Sequence, residues 1–333
     1  MRNLFAKTVT ALAGADERVV LLSGDIGNRL FDDFKAKFPT RFFNCGIAEA
    51  NMIGVAAGLA MNGYRPFAYT IAPFTTTRCL EQIKLDLCYQ HLPVVIAGTG
   101  AGLSYAELGP THHTFEDLAI LRPLPHMTLF CPCDPLELQL GLAASLALSG
   151  PLYLRLGKKG EPALHAAPPA FRFGRAETLR DGADVALLAT GPVAAEALRA
   201  ADLLAAQGIA ARVASLHTVK PLDLDYLEAS FAATPLVATV EEHSRIGGLG
   251  GAVAEWLAEA EPRPAARFLS IGIEDRFLHQ VPSQEEARRV EGLTGEAIAA
   301  AILRRLGHPA ASAPHPAENR TDPGGDATKS SCG

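Results

Sequence analysis

The chain has 333 residues, of which 48% are hydrophobic and 20% charged, so a disordered or fibrous main body is excluded and two domains of ordinary size are expected. Acidic residues outnumber basic ones by 36 to 30, giving a formal net charge of −6, and no apolar stretch reaches the roughly 18 residues of a membrane helix. We therefore expect no nucleic-acid or membrane partner. The six scattered cysteines and the lack of a signal-peptide pattern favour a cytoplasmic protein with reduced thiols.

The first half of the chain alternates short apolar segments with longer helical patterns. Because the short segments are apolar throughout, they are typical of parallel strands that helices bury on both faces. Strands are predicted for residues 19–22, 67–71, 94–97, 127–130 and 152–154, and helices near 2–14, 48–61, 76–90 and 135–148.

The pattern breaks after Arg155, where Gly, Lys and Pro residues accumulate, and then restarts. The second half has predicted strands at 185–189, 211–213, 236–240 and 268–271, with helices before Gln207 and after Gly251. From His308 onward, Pro, Ala, Ser, Gly and Asp dominate and the periodicity stops. We therefore predict the following organisation: a first domain over 1–160, a linker over 161–175, a smaller α/β domain over 176–308 and a disordered tail over 309–333.

Three motifs do not support the chemistry that they suggest at first sight. The glycines of 98–102 lack the full spacing of a dinucleotide loop, and those of 247–251 favour a tight turn before a closely packed helix. Cys131 and Cys133 are separated by one residue and have no second pair, so zinc binding is not expected. No metal site is therefore expected in this chain.

Two carboxylates follow predicted strands. Asp25 comes at the end of the first strand, where it can contact a ligand at the carboxyl edge of a parallel sheet or cap the next helix. Glu49 comes in the first turn of a helix that is apolar almost all round from Met52 to Met61, which predicts burial. Such a Glu is ordinarily a partner of the helix dipole, but partial desolvation would also let it share a proton with a ring nitrogen.

Two adjacent histidines, His112 and His113, lie on a predicted loop before a helix. Neighbours on a loop can face different ways, so a shared metal is a weak interpretation. A polar role for one of them, donating to a substrate oxygen, is favoured.

The ordered set of these motifs resembles the C-terminal half of transketolase, and in particular stand-alone C-terminal-section chains. The resemblance runs from Arg2 to Leu306. It rests on the motifs at 24–26, 46–51, 109–113 and 116–119, on Arg155, and on those at 220–223, 240–243 and 247–248. It implies an α/β fold, with a parallel-sheet pyrimidine-binding domain followed by a smaller transketolase C-terminal domain.

The resemblance also implies a thiamine diphosphate cofactor. Glu49 matches the glutamate that hydrogen-bonds N1′ of the aminopyrimidine and so promotes deprotonation of the thiazolium carbon, and Asp25 matches an aspartate near the thiazolium. The aromatic residue under the pyrimidine would be Phe74 or, with the alternative alignment, Tyr69.

Substrate contacts follow from the same resemblance. His112 matches a histidine near the reacting carbons, with His113 beside it among the expected substrate contacts, and Arg155 and Arg2 match arginines that bind a sugar phosphate. Two positions depart from the family pattern. Leu108 replaces an aspartate that contacts an acceptor hydroxyl, and Gly100 replaces a His or Arg that faces the phosphate, so a specialised sugar is favoured.

The chain lacks the Gly-Asp-Gly…Asn segment that holds Mg²⁺ and the diphosphate, so the resemblance implies a separate N-terminal-section partner that supplies the metal ligands. An α2β2 assembly acting on sugars or sugar phosphates is expected. The small residues of 54–60 are a candidate for close subunit packing. The alternatives are the β chain of a 2-oxoacid dehydrogenase, a deoxyxylulose-phosphate-synthase-like enzyme, and a non-catalytic regulatory subunit.

Overall fold

The computed structural model describes residues 1–27, 29–158 and 160–308, so the predicted tail at 309–333 lies outside the described residues. The strands are β1 Val19–Ser23, β2 Phe42–Asn44, β3 Arg65–Ile71, β4 Val95–Thr99, β5 Thr128–Phe130, β6 Leu152–Leu156, β7 Glu177–Arg180, β8 Val185–Thr190, β9 Ala211–Ser215, β10 Thr218–Lys220, β11 Leu236–Ser244 and β12 Arg267–Ile273.

The helices are α1 Arg2–Ala15, α2 Asp32–Lys37, α3 Glu49–Met61, α4 Ala72–Thr75, α5 Leu80–Gln82, α6 Asp117–Leu121, α7 Pro135–Ser145, α8 Ala194–Ala205, α9 Leu224–Ala233, α10 Leu249–Glu259, α11 Gln284–Val290 and α12 Gly295–Leu306. Short 3₁₀ turns occur at Pro39–Arg41, Thr77–Cys79 and Ala106–Leu108, and a π-helix at Ile83–Tyr89. In the described part of the chain, no helix combines the length and apolar character needed to cross a membrane.

The first sheet has the strand order β10-β5-β6-β4-β3-β1-β2, and its strands are parallel except for β10. Alternate residues of β1 serve opposite faces. Val19 and Leu21 pack with α1 and α7, whereas Val20 and Leu22 pack with α3. This double burial explains why the strands are apolar at every position, as the sequence predicted.

The second sheet has the order β12-β11-β8-β9-β7, with α8 and α12 on one face and α9 and α10 on the other. Its edge strand β7 is antiparallel to β9. Among the described residues between 157 and 176 there is no helix or strand, so the two sheets are joined by an irregular segment.

The strand β10 was not anticipated. It follows β9 in the second half of the chain but pairs with β5 at the edge of the first sheet. Lys220 then donates from Nζ to the carbonyl oxygens of Arg122 and Leu124 at 2.7 and 2.5 Å. A strand of three residues is too short to show a periodic pattern in the sequence. The pairing of β10 with β5 joins the two halves of the chain.

The single helix predicted near 76–90 is broken into short pieces. The Thr76 hydroxyl donates to the Ala72 carbonyl at 2.8 Å, and the Thr77 hydroxyl donates to the Pro73 carbonyl at 2.8 Å. Such side-chain bonds compete with a continuous helix. The break places Phe74 and Arg78 at the carboxyl edge of β3.

The helix α3 is buried on one face only, although its apolar sequence predicted burial all round. Met52, Ile53 and Ala56 lie in the core, whereas Val55 and Met61 are exposed. A Cβ added at Gly54 or Gly58 would meet no atom within 4 Å. An apolar helix face is therefore uncovered in this chain.

Candidate active site

Glu49 is the first residue of α3, at the carboxyl edge of the first sheet. Its side chain is only 1% exposed. Gly24, which follows β1, lies beside this carboxylate, and a Cβ there would come within 2.9 Å of the Thr70 Oγ1, so glycine lets the chain pass close to β3 at this point. The N-terminus of α3 favours a negative charge here.

Arg78 and Phe74 complete the surroundings of the carboxylate. The Arg78 Nη1 donates to the Glu49 Oε2 at 2.8 Å. The same guanidinium lies 4.2 Å from the centroid of the Phe74 ring. A planar hydrogen-bond donor is thus held against an aromatic face and a buried carboxylate, while 45% of the Arg78 side chain remains exposed.

His112 lies on the other side of Phe74. The two ring centroids are 5.3 Å apart, and the His112 ring is 6.0 Å from that of Tyr105. The Thr111 hydroxyl lies 2.9 Å from the His112 Nδ1 and orients the ring. Partial burial lowers the pKa of His112, which favours a neutral imidazole that can donate or accept a proton.

A cation borders the same group of side chains. The Lys158 Nζ lies 4.6 Å from the centroid of the Tyr105 ring, and it also forms an ion pair with Glu107. Lys158 follows β6, so it lies at the carboxyl edge of the first sheet together with Glu49 and Phe74. One ammonium group therefore stands at the border of the candidate site.

Asp25 lies one residue beyond Gly24 at the end of β1, with an exposed side chain. Its Oδ1 accepts a hydrogen bond from the Asn44 Nδ2 at 2.9 Å, and its φ of +58° is a conformation that favours glycine. The turn holds this carboxylate at the sheet edge near Glu49.

Tyr69 belongs to the core and does not line the candidate site. Its ring is 1% exposed and packs against Phe5 and Phe31 at centroid distances of 5.3 and 5.0 Å. It lies in the middle of β3, whose side chains alternate between the two helical layers. The structure therefore leaves Phe74 as the aromatic candidate.

Arg155 is also placed elsewhere, inside the junction between the two domains. Its Nε donates to the Asp117 Oδ2 at 2.7 Å, and its Nη2 donates to the carbonyl oxygens of Thr114 and Glu242 at 3.0 and 2.9 Å. Because these groups come from both halves of the chain, the guanidinium fastens one domain to the other. This placement does not support the predicted sugar-phosphate contact.

The two remaining predicted substrate contacts, His113 and Arg2, lie in different places. His113 is buried, stacks on Phe115 with ring centroids 5.2 Å apart, and faces a cleft of about 380 Å³ that also includes Phe277 and Leu278. The two histidines thus face different ways, which the loop permits. Arg2 is partly buried at the start of α1, and its Nε has no hydrogen-bond partner among the described residues.

The departure at Gly100 has a steric explanation. A Cβ on this residue would lie 1.8 Å from the Tyr105 ring, and its φ of +74° favours glycine. Tyr105 therefore occupies the space that a larger side chain at position 100 would need. Leu108, in the turn that follows Tyr105, is 40% exposed.

Sequence reasoning missed Arg78, Tyr105 and Lys158. The only signal for Arg78 was an Arg soon after the predicted aromatic residue, in a segment interpreted as one regular helix. Lys158 stands in a Gly-Lys-Lys-Gly segment that favoured a linker. No sequence motif indicated Tyr105, because its ring occupies the space that the glycine at position 100 leaves free.

Family models match nearly the whole described chain. The model for the transketolase pyrimidine binding domain matches residues 1–161, and the model for the transketolase C-terminal domain matches residues 174–298. The chain belongs to the transketolase family. This confirms the predicted resemblance and the predicted fold class.

Relatives of similar length include a named transketolase subunit and a split-gene transketolase chain. The 6-deoxy-6-sulfo-D-fructose transketolase subunit SqwH of Clostridium sp. (strain MSTE9) is 38% identical over 299 residues, which are 90% of this chain and 92% of that protein. A solved split-gene transketolase, described as an inactive β4 tetramer, is 39% identical with a TM-score of 0.82, and covers 92% of this chain and 97% of its own. The chain is therefore a transketolase-like subunit, as the sequence predicted.

A further relative is longer. The 1-deoxy-D-xylulose-5-phosphate synthase of Thermomicrobium roseum is 40% identical over 311 residues, which are 92% of this chain but 48% of that protein. The similarity to this class of enzyme thus covers about half of the enzyme's length.

Thiamine diphosphate use is implied by the family, and the site fits its aminopyrimidine. The Arg78 guanidinium, planar and rich in donors, already lies on Phe74 and binds Glu49, so a planar ring whose nitrogen shares a proton with Glu49 suits the same surroundings. The exposed side chain of Arg78 can move into the solvent. For Mg²⁺ the fit is absent, because the one candidate metal cluster of the described residues includes a thiol, and Mg²⁺ prefers oxygen ligands.

Proposed function

We propose that the chain is the pyrimidine-binding half of a two-chain, thiamine-diphosphate-dependent enzyme that transfers a two-carbon ketol unit between sugars. The observation that supports this most is the buried Glu49 carboxylate, which Arg78 links to the Phe74 ring, with His112 on the other side of that ring, in a transketolase-like subunit. When bound, the cofactor supplies a carbon nucleophile that attacks a ketose carbonyl.

The residues of the chain have separate roles in this proposal. Glu49 would share a proton with a ring nitrogen of the cofactor's pyrimidine. Phe74 supports the face of that ring, and Asp25 borders it at the end of β1. Arg78 keeps the buried carboxylate paired while no ring is bound. His112, neutral and oriented by Thr111, exchanges a proton with a substrate oxygen.

The uncovered apolar surface supports a partner subunit. Ile47, just before α3, and Tyr89, at the end of the π-helix, are each 79% exposed, and Val55, Met61 and Leu85 are exposed near them in the fold. We propose that an N-terminal-section chain covers this surface and provides the Mg²⁺ ligands, in an α2β2 assembly. The free cysteines of the described residues favour a cytoplasmic location.

The substrate we propose is a sugar with an anionic terminal group. The Lys158 ammonium borders the site, and it is held there by Tyr105 and Glu107. The names of the relatives include a sulfonated and a phosphorylated sugar, both anionic. Arg2, which has a partly unpaired guanidinium, is the second candidate for this contact.

The experiment is reconstitution. The chain would be co-purified with its partner, supplied with Mg²⁺ and thiamine diphosphate, and assayed with sulfonated, phosphorylated and neutral ketose donors. We expect ketol transfer only from the mixture of both chains. Activity from this chain alone, or inactivity of the assembled complex with every donor, would count against the proposal, and the latter would favour a regulatory subunit.

A second candidate is an acyloin-forming enzyme of the deoxyxylulose-phosphate-synthase type, favoured by the 40% identity to such a synthase. The same assay distinguishes the two functions. Pyruvate as donor, with release of carbon dioxide, would indicate the synthase-like reaction, whereas a ketose donor indicates transketolase activity.

A further inference from the structure

A second polar cluster lies away from the candidate active site, where the irregular segment between the domains passes the N-terminus of α7. Cys133 precedes α7, Glu137 lies in its first turn and His165 belongs to the connecting segment. One ligand-type atom from each residue lies within 4.8 Å of the other two. Cys133 and Glu137 are fully buried, and the His165 side chain is nearly so.

Asp134 fixes the orientation of His165. The His165 Nδ1 lies 3.0 Å from the Asp134 Oδ2, and the backbone N–H groups of Leu164 and His165 donate to the same oxygen. With Nδ1 donating to a carboxylate, Nε2 is the free nitrogen, as in metal-bound histidines.

The atoms that face one another lack hydrogen-bond partners. The His165 Nε2 and the Glu137 Oε1 are both buried, and neither has a partner among the described residues. They are 3.7 Å apart, too far for a hydrogen bond but close to the roughly 3.4 Å that separates two ligands on one tetrahedral zinc ion. Buried polar atoms without partners are uncommon in folded proteins and call for an explanation.

We propose that Cys133, Glu137 and His165 bind a Zn²⁺ ion. A thiolate, an imidazole and a carboxylate form a mixed set typical of zinc, whereas Mg²⁺ and Ca²⁺ select oxygen ligands alone. Binding displaces the thiol proton, and the thiolate and carboxylate then balance the charge of the ion. The Ser215 hydroxyl, buried and beside Cys133 and Glu137, or a water molecule takes the fourth position.

The ion would hold together parts of the chain that are distant in sequence. Cys133 and Glu137 belong to the first domain, His165 to the connecting segment and Ser215 to the end of β9 in the second domain. Cys133 also packs in the same core as Val185 and Leu187 of β8. The site is therefore structural, and it is independent of the ketol-transfer proposal.

The test uses the full chain, first stripped with a chelator and then dialysed against Zn²⁺ or Co²⁺. We expect one zinc ion per chain by mass spectrometry, a thiolate-to-cobalt charge-transfer band in the near ultraviolet, and a Tm that rises by several degrees with zinc. Cys133→Ser and His165→Gln should lose the ion and the Tm shift. Cys131→Ser is the matched control, because Cys131 is equally buried but lies outside the cluster.

X-ray absorption at the zinc edge of the unmodified chain keeps the test decisive if a variant does not fold. It should show one sulfur ligand at about 2.3 Å and nitrogen or oxygen ligands at about 2.0–2.1 Å. Zinc bound without sulfur, no stoichiometric zinc, or equal loss of zinc in Cys131→Ser would overturn the proposal.

Discussion

Two arginine–carboxylate pairs in this molecule have similar geometry and different surroundings. Arg78 binds Glu49 at 2.8 Å, and Arg155 binds Asp117 at 2.7 Å. The Arg78 side chain is 45% exposed, whereas those of Arg155 and Asp117 are 4% and 0% exposed. The first pair lies at the open edge of a sheet, and the second lies between two domains.

The difference shows which charges are available for function. Arg78 can leave Glu49 and find water at once, so another planar donor can take its place. Arg155 cannot leave Asp117, because an unpaired charge would remain in a medium that does not solvate it. The bonds of Arg155 to Asp117 and to backbone carbonyl oxygens of both domains therefore favour a structural role for this arginine.

The largest expected effect is at the partly exposed Arg78–Glu49 pair, which we call the open pair. In the assembled two-chain enzyme, Glu49→Gln should lower kcat by roughly 10²–10⁴-fold, because the shared proton is lost while the shape is kept. Glu49→Ala should be at least as severe. Ketol transfer measured under saturating cofactor, with circular dichroism to confirm the fold, tests this prediction.

The matched control is Glu259→Gln, an exposed glutamate on α10 of the second domain, which should retain full activity. Near-normal rates in Glu49→Gln would remove this residue from the mechanism. They would also remove the functional difference between the two pairs, because the Arg78–Glu49 pair would then have no role in catalysis.

At the buried pair the expected effect is on stability. Arg155→Gln should lower the free energy of unfolding by roughly 3–5 kcal/mol, because the Asp117 carboxylate would stay buried and, among the described residues, would keep only the Tyr153 hydroxyl as a donor. Urea unfolding measures this loss.

Adding Asp117→Asn to that variant should recover part of the loss, because the uncompensated charge is gone. If Arg155→Gln were instead as stable as the unchanged chain and raised only the KM for the sugar, Arg155 would belong to the substrate site after all.

Much of the fold followed from simple patterns. Continuous apolar strands such as β1 and β4 can only be buried on both faces, so the parallel sheets were predictable. The pairing of β10 with β5 was not, because a three-residue strand has no period and its partner is distant in sequence. The break at Thr76 depends on hydroxyl bonds to the backbone, which compete with the helix only locally.

The site was partly predictable for a related reason. Glu49 and His112 lie in short motifs whose spacing has meaning, whereas Arg78 and Tyr105 act through contacts between separate segments. The Cys133 cluster follows the same logic, because its three ligands come from the turn before α7, from α7 itself and from the connecting segment. Spacing between neighbouring cysteines alone could not reveal it.

A third buried carboxylate, that of Glu241, should make the stability of the chain depend on pH. Burial raises the pKa of Glu241 to about 7 from an ordinary 4.5, although the backbone N–H groups of Leu249 and Gly250 donate to it. Between these pH values the folded chain keeps a proton that the unfolded chain has lost. Stability should therefore fall as pH rises through this window, by at most about 1.4 kcal/mol per pH unit.

Glu241→Gln isolates this contribution, since glutamine does not titrate. Urea unfolding between about pH 5 and pH 8 should give a less steep fall in the variant than in the unchanged chain. Parallel curves would mean that Glu241 is already ionised in the folded chain and that burial does not raise its pKa.

The smallest expected effect is on the stability of the open pair. Arg78→Gln should change the free energy of unfolding by less than about 1 kcal/mol, because shortening the exposed side chain that covers Glu49 opens this carboxylate to water, and solvent already screens the guanidinium. Arg263→Gln, an exposed arginine in the second domain, gives the background for losing a positive charge. A loss comparable to that of Arg155→Gln would show that the Glu49 carboxylate stays closed to solvent even when Arg78 is removed, and then no planar cofactor could exchange with Arg78 at the sheet edge.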